Sequence, residues 1–191
     1  MSYLAEPGRS DEVDTLYDSD RASLGYVANY SKVFAHRPRV YREWKELNGA
    51  VKATMDPVRY EVATVAAARE LRSSYCSLAH GSVLARQVGV ETAIKIASDE
   101  STDPLYAVIG ELARKVAASP ADITEADLKP LRDLGLSDVA ILDVVLAASA
   151  RCFFSSVLEA TGAVPDSAYA NVDESLREVL TVGRPIEQGG T

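Results

Sequence analysis

Sulfur and imidazole are scarce in this chain: 191 residues hold two cysteines, two histidines and two methionines. Two distant cysteines do not make a disulfide framework, and a cytoplasmic protein with reduced thiols is expected. No uninterrupted run of about 18 apolar residues appears, so no membrane span is expected. Basic charge is outnumbered: 20 Lys and Arg against 28 Asp and Glu give a formal charge of −8. There is thus no cationic surplus to release counterions from nucleic-acid phosphates or to hold an anionic membrane. The first twenty residues are acidic and lack an apolar core, so no secretory signal is expected. A glycine-rich phosphate loop, a metal-ligand cluster and a long heptad run are all missing, so no cofactor and no metal are expected. Alternating strand patterns are missing too.

What remains is helical periodicity, punctuated by caps and prolines, in an all-α chain of about nine helices with short connections. Residues 1 to about 15 show no period and are expected to be loosely ordered, followed by a short turn ending at Gly25. Val27 to Ala35 and Arg39 to Thr54 read as helices, the second with Val40, Trp44, Leu47 and Val51 on its apolar face. Asp56-Pro57 and Asp103-Pro104 each join a cap to a proline at the first helical position. They open helices Val58 to about Leu71 and Leu105 to Ala118. A turn at Arg72-Ser73-Ser74 leads into Tyr75 to Val88, with Ser73 or Ser74 as the cap. Glu91 to Ser98 and a segment opened by Thr124 follow. Ser137-Asp138 starts the most apolar helix, Val139 to about Thr161, which reads as central or buried at a subunit contact. A weak helix from Asn171 to Leu180 precedes a tail expected to fray.

The chemistry concentrates between Glu61 and Arg86. Cys76 and His80 stand four residues apart, on one face of a helix. A cysteine in the first turn of a helix meets unpaired backbone N–H groups and the positive end of the dipole, both of which favour a thiolate. His80 can exchange a proton with Cys76, and Glu61 can orient His80 from the preceding, antiparallel helix. The plainer readings make Cys76 a small core residue, His80 a satisfied core imidazole, Glu61 an exposed helix carboxylate, Ser73 a cap and Tyr75 a packing aromatic. Cys152 lies in a nearly all-apolar helix and reads as core. His36 sits at a helix end, where a cation suits the dipole.

The segment DPVRYEVATVAAARELRSSYCSLAHGSVLAR resembles the core of the alkylhydroperoxidase D-like (AhpD-like), carboxymuconolactone decarboxylase superfamily. Its peroxidase signature is a glutamate, then C-x-x-C, then a histidine four residues after the second cysteine. Glu61, Cys76 and His80 match those positions, and Tyr75 with the Ala79-His80 pair matches the common C-x-Y-C-x-x-A-H form. LGYVANYSKVFAHRPRVYREW and ITEADLKPLRDLGLSDVAILDVVLAASA resemble the flanks in the peroxidase-related branch. The resemblance spans residues 22 to 165, leaving an N-terminal extension (1–21) and a C-terminal one (166–191).

The resemblance implies an AhpD-like helical domain in a homo-oligomer, trimer or hexamer. It implies a thiol-dependent peroxidase acting on a peroxide or small organic substrate. Cys76 would be the nucleophile, His80 and Glu61 the proton relay, and Tyr75 or Ser73 a hydrogen-bond donor near the sulfur. One position departs from the pattern: Ser73 replaces the first cysteine. A serine cannot close the intramolecular disulfide of the family's cycle, so the resolving thiol comes from an external reductant or from Cys152. The alternatives are a decarboxylase-like lyase or isomerase with His80 as general acid/base, and a non-catalytic oligomeric member of the family.

Overall fold

The computed structural model describes residues 2–189. Among them are ten α-helices: α1 (Asp11–Leu24), α2 (Asn29–Phe34), α3 (Pro38–Thr54), α4 (Pro57–Glu70), α5 (Ser74–Val88), α6 (Val90–Ala97), α7 (Pro104–Ala118), α8 (Glu125–Asp133), α9 (Asp138–Thr161) and α10 (Glu174–Leu180). Short 3-10 turns cover Pro120–Asp122 and Ser167–Asn171, and no strand occurs among the described residues. The fold is all-α, as expected. Cap chemistry sets the boundaries: the side chains of Asp56, Asp103 and Ser137 accept backbone N–H groups at the starts of α4, α7 and α9.

α4 is the axis of the molecule. Every residue from Tyr60 to Ala68 is buried, and the small side chains at 63, 66, 67 and 68 let α5, α7 and α9 pack closely around it. One aliphatic core joins these helices through Val62, Leu78, Ile109, Leu112 and Val144. A second, aromatic core gathers Phe34, Tyr41, Tyr75 and Phe154 around Cys76. Phe34 stacks on Phe154 at 4.9 Å between centroids, and Trp44 meets Phe154 at 4.3 Å.

Three expectations change. Residues 11–24 form a full helix, not a loose segment with a late turn, capped by Ser10 and closed by Gly25 at φ 84°. Only Val13 and Leu16 give it buried apolar contacts, too few to mark a period in an acidic sequence. The tail does not fray within the described residues. Leu180 packs against Gly81, where a Cβ would collide with it. Gly183 N–H donates to Ser74 Oγ (2.7 Å), and Glu187 N–H donates to the Pro165 carbonyl (2.8 Å). Finally, α9 is long and apolar enough to cross a membrane by length and composition alone, with a mean hydropathy of 1.8 over its best window. Asp143 and Arg151 interrupt its apolar run without lowering that mean below the spanning range. Half of the window is buried against the other helices, and the rest is partly or fully exposed.

Candidate active site

The turn between α4 and α5 places the candidate residues. Arg72 adopts the left-handed conformation at φ 54°. Its N–H donates to the Arg69 carbonyl and that of Ser73 to the Ala68 carbonyl, both at 2.9 Å. These are the paired bonds of a Schellman closure, formed without the usual glycine. The chain reverses at once, α5 runs back along α4, and Cys76 becomes its third residue, beside the helix N-terminus.

One turn along α5, the His80 ring nitrogen Nδ1 lies 2.6 Å from Glu61 Oε2 on α4. Glu61 is 2% exposed, and its other oxygen is 3.8 Å from Lys52 Nζ, from the last turn of α3. Burial pushes the His80 imidazole down to about 4; the Arg151 cation adds to the shift and the Glu61 carboxylate opposes it. The ring is therefore neutral at neutral pH. A carboxylate only accepts, so Nδ1 carries the proton and Nε2 keeps its lone pair. The Tyr60 ring stands edge-on to the imidazole, 6.0 Å between centroids.

Cys76 is buried, and among the described residues its sulfur receives one hydrogen bond, from Arg151 Nη1 on α9 at 3.5 Å. The guanidinium lies against two aromatic rings, 5.4 Å from the Phe154 centroid and 5.7 Å from that of Trp44. Burial works against this cation, but the Cys76 sulfur and the Tyr60 hydroxyl outweigh it and hold the Arg151 value above its ordinary one. Tyr60 in turn donates its proton to Asn48 Oδ1 (2.7 Å), leaving its lone pairs for neighbours. Cys76, His80 and Arg151 line one cavity of about 180 Å3, walled mainly by aromatic side chains. That volume suits a ligand about the size of a benzene ring.

The structure thus brings Cys76 and His80 to one cavity, with Glu61 bonded behind the imidazole. The two supporting residues are placed differently from expectation. Tyr75 lines the cavity, but its hydroxyl donates to Asp166 and accepts from Tyr30 N–H, tying the α2 end to α5 rather than serving the sulfur. Ser73 occupies the N-cap position with its side chain making no cap bond; its hydroxyl is fully buried beside the Glu159 carboxyl, whose value it helps hold down against burial. Ser74 does not cap α5 either, its hydroxyl being taken by Gly183 N–H. Cys152 is half-buried, absent from the cavity wall, and burial raises its thiol. His36 bonds the Ala5 carbonyl at 2.9 Å and stays outside the site. Arg151 was not foreseen from the sequence, where it passes as one cation in an apolar helix. A buried charge always needs a partner, and that was the available signal.

No protein-family model matches the chain, and no curated protein sequence matches it. Solved structures do. The chain is similar to the alkylhydroperoxidase AhpD core of an uncharacterized peroxidase-related protein from Ralstonia eutropha JMP134, at 21% identity and TM-score 0.77 over 88% of this chain and 94% of that one. It is similar to an uncharacterized peroxidase-related protein from Silicibacter sp. TM1040, at 21% identity and TM-score 0.74 over 89% and 94%. It is also similar to the debrominase Bmp8, solved as a cysteine-to-alanine variant with 2,3,4-tribromopyrrole, at 12% identity and TM-score 0.69 over 93% and 95%. The fold is the AhpD-like helical fold.

Proposed function

We propose that the protein is a thiol-dependent peroxidase of the AhpD-like superfamily, with Cys76 as its nucleophile. The supporting observation is the shared cavity: a sulfur with a cation on it, and a neutral imidazole held by a buried carboxylate. In the reaction the Cys76 thiolate attacks the distal oxygen of a hydroperoxide. An S–O bond forms, the O–O bond breaks, sulfur is oxidised to the sulfenic level and the peroxide is reduced to an alcohol. An external thiol then displaces that oxygen as water, giving a mixed disulfide. A second thiol releases Cys76 and leaves as the disulfide of the reductant. Ser73 offers no thiol to shorten this path. The aromatic walls favour a small apolar hydroperoxide over a polar one.

A sulfenic-acid probe added after peroxide tests this. Wild type is labelled and Cys76→Ala is not; a wild type that takes no Cys76-dependent label sinks the proposal.

A second reading draws on the neutral imidazole. With Nδ1 bound to Glu61, Nε2 is a general base facing the cavity, which suits a lyase or isomerase reaction without redox chemistry. Substrate turnover that survives Cys76→Ser and is lost in His80→Ala would favour it.

We further propose self-association through α9. Val139, Leu142, Leu146 and Phe153 are exposed at spacings of three, four and seven residues, and Val40 and Leu47 are exposed on α3, which packs against α9. A second copy of the chain is the occupant this face suits, and an external thiol the reductant. Leu146→Glu lowers the mass measured by sedimentation if that contact forms.

A further inference from the structure

We propose that Arg151 is the resident counter-cation of Cys76, so that the resting site holds a thiolate beside a neutral imidazole rather than a thiolate–imidazolium pair. This rests on the peroxidase reading only for the identity of the reacting sulfur.

The argument is one of charge. Arginine does not lose its proton in a protein, so the guanidinium remains a cation even at 3% exposure. Such a charge is stable in the interior only beside an anion or a full set of acceptors. Arg151 has neither from carboxylates: among the described residues none pairs with it, and its Nε–H is buried without an acceptor. The groups set against it are the Cys76 sulfur, the Tyr60 hydroxyl and two aromatic faces. The buried carboxylate of the site, Glu61, is taken up by His80 at 2.6 Å and lies 3.8 Å from the half-exposed Lys52; it makes no ion pair with Arg151. The sulfur, 3.5 Å from Nη1, is therefore the group placed to serve the guanidinium as its anion. The other titratable groups lining the sulfur's cavity are phenols: Tyr30 on α2, Tyr41 on α3, Tyr75 on α5 and Tyr169 on the 167–171 turn, with Tyr60 on α4 set against Arg151. Burial raises Tyr30, Tyr41, Tyr75 and Tyr169, which adds no anion. His80 does not supply the cation, because burial and Arg151 itself keep it unprotonated.

The pairing also balances the oxidation step. As the thiolate takes the distal oxygen, His80 Nε2 accepts the hydroperoxide proton and returns it to the proximal oxygen, which leaves as the alcohol. The sulfur keeps an oxygen anion, a sulfenate, against the same guanidinium. Charge in the buried site is the same before and after, so no proton from solvent is needed at that step.

The test reads the thiolate directly, by its ultraviolet absorbance relative to Cys76→Ala and by the iodoacetamide rate between about pH 6 and 8, below the ordinary thiol range. In wild type the Cys76-dependent absorbance is present at the lower pH and the alkylation rate is flat. In Arg151→Met, with folding checked by circular dichroism, alkylation at the lower pH falls roughly 10- to 100-fold, as for loss of a charged hydrogen bond. Arg151→Lys restores part of it. A wild-type rate that climbs with pH throughout, or a folded Arg151→Met that keeps its thiolate, overturns the pairing. Since wild type alone can fail the first arm, a variant that does not fold leaves the test intact. An intact thiolate without peroxide turnover overturns the proposed function instead, and leaves the pairing standing.

Discussion

The two sides of Cys76 are built to different standards. On the cavity side, Arg151 reaches the sulfur and Glu61 holds His80 at 2.6 Å with Lys52 behind it. On the other side, Ser77 of α5 and Ser155 of α9 bury hydroxyls without partners, and the hydroxyl of Ser73, just before α5, has only Glu159 beside it. Buried polar groups are ordinarily paired, because an unpaired one forfeits its hydration for nothing. Placement is therefore tight where an anion is made and a proton moved. It is slack where a second motif cysteine would have stood.

This contrast can be broken most sharply at His80. His80→Ala lowers peroxide turnover roughly 10²- to 10⁴-fold, the usual worth of a positioned acid–base group; initial rates at saturating external thiol measure it. The same residue links stability to pH. Its folded value of about 4 lies below the ordinary 6.5, so between them the unfolded chain binds a proton that the native protein refuses. Stability is full above about 6.5, falls as pH drops toward 4 and then flattens, an overall loss of roughly 3 kcal/mol. Urea melts across that range show the slope in wild type and its absence in His80→Gln. Turning to the slack side, Ser73→Cys gives Cys76 a local thiol one helical turn away. Mixed disulfide with the external reductant then accumulates several-fold less, as mass spectrometry of oxidised protein would read. The smallest effect belongs to Ser77→Ala, which leaves stability unchanged or raises it by up to about 1 kcal/mol, since no hydrogen bond is lost. A large destabilisation there would show that the two sides are not so different.

What was legible in the chain was local. Asp56-Pro57, Asp103-Pro104 and Ser137 announce α4, α7 and α9 because a cap, joined by a proline in the first two, acts within one turn. Cys76 and His80 could be set on one face by counting, and Glu61 joined them through a short reversal. Arg151 could not be reached that way, since its contact with Cys76 spans 75 positions. Nor could Asp166, which captures the Tyr75 hydroxyl 91 positions away and diverts it from the sulfur. α1 escaped notice for another reason: it is held by a cap and two apolar contacts, so tertiary packing outweighs its weak period.

The clasp between the tail and the α4–α5 turn has a mechanical consequence. Ser74 holds Gly183, Leu180 sits over Gly81, and Arg69 Nη1 donates to the Val179 carbonyl. The turn that presents Cys76 is therefore held in part by α10 and the residues that follow it. Exchange of the amide hydrogens at residues 73–76 should rise and fall in step with that of α10, as one cooperative unit. The turn that leads to a sulfur in the middle of the chain is thus tied to a segment about a hundred residues downstream.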